Sequence, residues 1–500
     1  MARSLARARA RRAAAAALAA AGFIMAGAAA AQDRPAYTVS IAPHDNRSVR
    51  VHARIPLTDS VLLMYPDGAN HLADGWSTFV RGLRATDDAG RAVPLRRRGR
   101  DEWAVAAPLP AAVTLDYEVL VHHDAGRWPF GSKESAYGRP DAVFLTGKAL
   151  FIAQYGVADA TVRFDLDPSW RLAVPWAEVP GQPRTFSVPT VIELLEVGMM
   201  AGRHQQRAVT VGGTEVVLAV GESLRGSAEV MEGSLRQLLP AAAAMFGGAP
   251  RGRFVVIANR DVYDGGTAFT RSFSVVYAEA PTVQNRTGWG HVIAHELLHL
   301  WLGSAIRTAP ESQQYWFSEG YSDYLSSLLE LRTGMISEPA FWARVAEHHQ
   351  KYTRVAGGVS LLAAGADKAQ NYDLVYSGGF LAALSMDVDL RRRTARRAGV
   401  EDVLRRMYAR FGATGDPYTD HDVRAEAEAV GGGGLSAFFA SYVTGTDLLP
   451  VQSDLAALGM ALHAAGPDSA MHRITVSRYA TPAQTALRRA VLFGADGAAR

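Results

Sequence analysis

The chain has 500 residues, 48% of them hydrophobic and 20% charged, and no cysteine. That length and apolar content can bury a sizeable core in two or three domains, while the lack of thiols excludes a disulfide framework, a thiolate metal site and a lipidated N-terminal cysteine. The formal net charge is +3, but five of the 52 basic residues (Arg3, Arg7, Arg9, Arg11 and Arg12) fall within the first 31 positions, where no acid occurs. The remainder holds 47 basic against 49 acidic side chains, so the basic balance gives no reason to expect a nucleic-acid partner.

Those arginines precede an apolar stretch, Ala13 to Ala21 and Phe23 to Met25, and the small residues Ala29, Ala30 and Ala31 stand before Gln32. This is the pattern of a secretory signal peptide over residues 1–31, and it predicts export to the periplasm or beyond the cell. Past it no apolar run reaches the roughly 20 residues of a membrane-spanning helix, so no integral membrane span is expected in the mature chain.

Residues 37–41, 49–55, 113–121 and 160–166 alternate apolar and polar side chains, as half-buried antiparallel strands do, and predict a β-sandwich-like N-terminal domain over residues 32–200. Strand patterns persist at 209–211 and 216–220, and a helical period takes over at 224–245. Residues 254–258 read as a buried strand and 273–277 as an edge strand, against which an extended peptide can pair its backbone. Helices then dominate to about residue 465, broken at Gly357-Gly358 and at Gly431 to Gly434. The fold class is α+β, with a mainly helical domain over residues 201–465 and a tail at 466–500. The arginine clusters at 96–98, 391–393 and 396–397 read as solvated surface, and His348 and His349 as exposed.

Within the helical part, residues 295–299 read His295-Glu296-Leu297-Leu298-His299. On a helix the two histidines lie one turn apart on one face and can reach a single cation, with Glu296 beside the metal as a general base for a bound water. The surrounding Val292, Ile293, Leu297, Leu298, Leu300, Trp301 and Leu302 predict burial of this helix on most sides, and buried polar groups need partners. A second apolar, aromatic segment carries Glu319, the candidate third ligand. Asp323 stands one turn further on, where it can accept a hydrogen bond from a metal-bound histidine and fix its orientation. The predicted cofactor is one Zn2+ per chain.

The pairing of His-Glu-x-x-His with Trp316-Phe317-Ser318-Glu319-Gly320-Tyr321-Ser322-Asp323-Tyr324 resembles the glycyl aminopeptidase family of gluzincin zinc metallopeptidases. The likeness takes in Asp264-Gly265-Gly266, Tyr376-Ser377-Gly378-Gly379 and residues 438–446, and runs over about 35–460. It implies a thermolysin-like catalytic domain, a substrate-binding edge at Gly265 and Gly266, and Tyr376 as hydrogen-bond donor to the oxyanion. It also implies hydrolysis of a peptide or protein substrate, aminopeptidase-like in preference. Two positions depart from the family pattern. Ala268 falls where a glutamate normally holds the substrate's free amino terminus, and Gly378 where a basic residue is common; no PDZ module is expected after position 460. Loss of the glutamate keeps an endopeptidase or a narrow-specificity peptidase as an alternative, and a non-catalytic zinc-containing binding protein as one from another class.

Overall fold

A computed structural model of the protein describes residues 34–495 apart from 43–44, 66–67, 70–71, 123–133, 157–158, 310–313 and 465–470. The expected signal peptide, residues 1–31, lies outside the described residues. The chain divides into two compact units, residues 1–203 and 204–500.

In the first unit the alternating segments become strands of a seven-stranded sheet. Ala36–Ala42 pairs antiparallel with Asp45–Pro56 and parallel with Ala160–Asp165, and Asp45–Pro56 in turn pairs with Ala112–Leu120. Period two sends Tyr37, Val39 and Ile41 inward and leaves Thr38 and Ser40 partly exposed. The inward residues share one hydrophobic cluster with Val143, Leu145, Met199 and Ala201 from a separate four-stranded sheet, which makes the unit sandwich-like. Arg96, Arg97 and Arg98 lie exposed on the strand Leu95–Gly99.

The second unit begins with a five-stranded sheet in the order Gln205–Val211, Thr214–Val220, Gly252–Arg260, Ser272–Tyr277, Gly265–Phe269. Its middle strands run parallel and are buried on both faces, which is why residues 216–220 and 254–258 are continuously apolar. The edge differs from the sequence expectation. Residues 272–277 are interior, paired on both sides, because the chain turns at Thr270-Arg271 and lays Gly265–Phe269 outside them. The helix Ala228–Phe246 ends at Gly247, whose φ of 77° is the left-handed conformation glycine adopts without strain.

Helices follow, and their packing carries the site. The motif helix Arg286–Leu298 and the helix Tyr315–Arg332 are buried along most of their length. Tyr315–Arg332 crosses Gly379–Arg393 at backbone contact: a Cβ on Gly320 would lie 2.3 Å from Cα of Gly379, and one on Gly379 would lie 2.3 Å from the Trp316 carbonyl oxygen. No other residue fits at this crossing. Two surface expectations fail: Arg391 is buried in an ion pair, with its Nε 2.9 Å from Asp387 Oδ1, and His348 is buried on the helix Glu338–Val355. His348 meets its partners, Ser377 and Asp323, only after packing, whereas Arg391 is buried together with Asp387, one turn before it on the same helix.

The C-terminal stretch is also not a loose tail. Arg473–Val476 pairs with Met460–His463, and Pro482–Phe493 forms a helix capped by Thr481 and Gln484 with proline in its first turn. That helix buries Leu487, Val491 and Leu492 in the core of the second unit, and Arg332 Nε donates to the Leu492 carbonyl at 2.6 Å. Among the described residues no helix is long and apolar enough to cross a membrane. Leu492→Ala removes a fully buried side chain and is expected to destabilise the second unit by about 2–5 kcal/mol, read as a lower urea midpoint. A midpoint equal to wild type would mean that the helix lies outside the core.

Candidate metal centre

His295 and His299 project from one face of the motif helix with their Nε2 atoms 3.2 Å apart. The outer nitrogens are committed: His295 Nδ1 donates to Asp323 Oδ1 at 3.0 Å, and His299 Nδ1 to the Leu302 carbonyl at 2.8 Å. Both Nε2 atoms therefore face a common point. Glu319, from the next helix, places Oε2 3.3 Å from His295 Nε2 and 3.4 Å from His299 Nε2. These three residues are the one group among the described residues whose ligand atoms all lie within 4.8 Å of one another. Two neutral imidazoles and one carboxylate fit a catalytic zinc, which takes three protein ligands and keeps a fourth position open. Glu296 is buried beside them, and its Oε2 meets no hydrogen-bond donor among the described residues.

Behind the ligands runs a buried polar chain. Asp323 Oδ1 accepts from His291 Nε2 (3.1 Å) as well as from His295. His291 Nδ1 lies 2.9 Å from Glu330 Oε2, which pairs with Arg344 Nη1 at 2.5 Å. Burial alone would raise the Asp323 carboxyl, but the two imidazoles hold it well below the usual carboxylate range. Burial likewise opposes charge on His295, yet Asp323, Glu319 and Glu296 together push its pKa up to about 10 in the metal-free protein. His348, 3.8 Å from Asp323 Oδ2, is pushed down by burial to about 4 and stays neutral; it stacks on Phe380 and bonds Ser377 Oγ through Nδ1 at 3.0 Å.

Tyr376 reaches the site from a π turn, Leu374–Gly378, at the start of the helix that meets Glu319's helix at Gly320 and Gly379. Such turns carry one residue more than an α-helical turn and recur at functional sites. The backbone crossing brings the Tyr376 ring within 6.0 Å of the His295 ring. Burial first, then the Glu319 carboxylate, raises the Tyr376 hydroxyl well above its ordinary value, so it remains a proton donor. Lys368, from a short turn just before, bonds Glu319 Oε1 at 2.7 Å. Burial works against its charge, but Glu319 more than offsets this and keeps it an ammonium.

On the other flank lies the edge strand Gly265–Phe269. A Cβ on Gly266 would lie 2.3 Å from Glu296 Oε1, so glycine is required for the strand to pass the carboxylate. Ala268 is exposed on this strand. Of the nearby acids, Asp264 is occupied by the Ala278 amide at 2.7 Å and Asp261 by the Val262 amide at 2.7 Å, while Glu279 is exposed. At Gly378 a Cβ would lie 2.6 Å from a Leu361 methyl, so a larger residue there would have to displace that side chain.

Residues 36–203 match the family model for the Peptidase M61 N-terminal domain, and residues 289–371, which hold all three ligands, Glu296, Asp323 and Lys368, match that for M61 glycyl aminopeptidase. The chain belongs to the M61 glycyl aminopeptidase family. It is a zinc metallopeptidase, and the donor set described above fits that metal. Solved structures with the same fold include an aminopeptidase N family protein from Idiomarina loihiensis, at a TM-score of 0.75 and 19% identity, covering 86% of this chain and 79% of that one. An M1 zinc metallopeptidase from Deinococcus radiodurans aligns at a TM-score of 0.59 and 16% identity, covering 84% and 95%. A mutant of the Deinococcus protein bound to a Tyr-Ser-Ala substrate gives a TM-score of 0.58 at 16% identity, with 84% and 95% covered. Comparison with curated proteins gives no match.

In this M61 chain the structure brings His295, His299, Glu319, Glu296, Asp323, Tyr376 and Gly266 into one site. The sequence reading missed His291, His348 and Lys368. His291 had a signal, since it precedes His295 by the same four residues that separate His295 from His299; Lys368, 49 residues from its partner, had none. Because His295 carries a proton below about pH 10 without metal, zinc must displace it. Zinc binding near pH 7 should therefore release about one proton from this residue, and affinity should rise with pH. Calorimetry in buffers of different ionisation enthalpy measures this, and a buffer-independent heat would contradict it.

Proposed function

We propose that the protein is an exported peptidase that cleaves peptide bonds with a zinc-activated water, aminopeptidase-like in its end preference. His295, His299 and Glu319 hold one ion per chain, Glu296 is the general base, Asp323 orients His295, and Tyr376 stabilises the oxyanion. The observation that carries this reading is the convergence of two Nε2 atoms and one carboxylate oxygen beside a buried glutamate with an unpartnered oxygen. Export is supported by the basic, then apolar, then small-residue pattern of residues 1–31.

Zinc at this centre supplies a Lewis acid for the scissile carbonyl and makes water nucleophilic near neutral pH. The chain's own groups do the rest. The substrate backbone pairs with the outer edge of Gly265–Phe269, the terminal strand of its sheet, as an added strand does, and the bare Gly266 lets it lie against Glu296. Glu296 takes a proton from the attacking water and passes it to the leaving amine. The Tyr376 hydroxyl donates to the carbonyl oxygen as it becomes negative, a contact that strengthens only in the transition state.

Glu296→Gln keeps the shape of the side chain and removes the base. Zinc content should stay at the wild-type value, while kcat falls by about 100- to 10,000-fold. A variant with wild-type turnover would remove Glu296 from the mechanism.

Ala268 favours a second reading, endopeptidase or narrow-specificity cleavage, because it offers no carboxylate to pair with a substrate ammonium. Matched peptides with free and N-acetylated ends separate the two. Aminopeptidase action predicts loss of cleavage on acetylation; equal cleavage of both would establish the second reading.

A further inference from the structure

The two oxygens of Glu319 have different duties. Oε2 faces the imidazoles, at 3.3 Å from His295 Nε2 and 3.4 Å from His299 Nε2, while Oε1 lies 2.7 Å from Lys368 Nζ. The ammonium is itself fixed from other sides: it lies 5.0 Å from the centre of the Tyr315 ring and 5.3 Å from that of Tyr376. Cation–π attraction of this kind favours a partly desolvated ammonium at this spot. Lys368 therefore sits in a built cage with one carboxylate oxygen as its hydrogen-bond partner. We propose that Lys368 is a positioning residue that confines Glu319 to single-oxygen ligation of the metal and so keeps the water position open.

The reason is a competition for Oε1. A carboxylate ligand with both oxygens free can rotate to chelate, and its second oxygen then occupies coordination space that a catalytic zinc keeps for water or substrate. A charge-assisted hydrogen bond is short and about twice as strong as a neutral one, so it holds Oε1 away from the ion. The same bond draws charge from Glu319, leaving the metal a stronger Lewis acid. The arrangement also ties the ligand to the oxyanion donor, since one ammonium touches both Glu319 and the face of Tyr376.

This inference rests on Glu319 being a metal ligand, and the test separates the two ideas. Full-length protein is loaded with Co2+, whose visible d–d absorption is intense in four-coordinate sites and weakens as a fifth ligand binds. Wild type should give the intense spectrum. Lys368→Met should keep cobalt affinity at or above wild type, weaken the absorption, and lower kcat by about 10- to 100-fold with KM changed much less. Lys368→Arg, which can still bond Oε1, should restore most of both signals. Because Lys368→Met leaves the buried Glu319 Oε1 without its partner, its metal-free form should unfold at a lower temperature than wild type, and both spectra are compared well below either midpoint. An unchanged cobalt spectrum in Lys368→Met overturns the proposal. Loss of cobalt binding in that variant alone also overturns it, since Lys368 would then assemble the site instead of restraining one ligand. Wild-type protein that takes up no cobalt overturns the metal centre and this role with it.

Discussion

Two imidazoles and a carboxylate can be buried side by side only if every polar atom not facing the metal has its own partner, and the architecture of the second unit answers that demand. Asp323 and the Leu302 carbonyl take the outer nitrogens of His295 and His299, and Lys368 takes the outer oxygen of Glu319. Each of these partners is held in turn. Asp323 is shared with His291, His291 leans on Glu330, and Glu330 is neutralised by Arg344. The chain of charges alternates in sign, so burial that would cost several kcal/mol for any one ion is offset along its length.

Such a network requires the helices to approach closely and in one register. Gly320, next to ligand Glu319, and Gly379, three residues after Tyr376, let two helices meet backbone to backbone. Larger side chains there would push Tyr376 and Lys368 away from Glu319 together. The edge of the sheet obeys the same logic, because Gly266 lets a strand pass Glu296 at a distance no Cβ would permit. The three-donor cluster, the approach of Tyr376 to it and the passage of the edge strand past Glu296 all rest on bare backbone at a few positions.

The family frame narrows the chemistry to zinc peptidase action but leaves the choice of substrate to local detail. Ala268 on the edge strand and Lys368 beside Glu319 are two such details. The first concerns how the substrate's end is received, the second how the ligand sphere stays open. They act on different terms of the reaction, binding in one case and turnover in the other.

Much was legible in the sequence because it is short-range. Four-residue spacing puts His295 and His299 on one face, period-two alternation marks the strands at 37–41 and 160–166, and continuous apolar runs mark the buried strands at 216–220 and 254–258. The order of strands was not: residues 272–277 became interior because a hairpin places Gly265–Phe269 outside them, a pairing periodicity does not encode. The C-terminal helix, read as a tail, and His348, read as exposed, escaped for a related cause, since what they pack against lies far away in the chain, whereas Arg391 is buried together with Asp387, one turn before it on the same helix. By itself the sequence determined which residue types could hold a metal and activate water. Tertiary packing alone decided that His291, Glu330, Arg344 and Lys368 would surround them, because those charges attract one another only after segments 14 to 53 residues apart have been folded into a region of low dielectric.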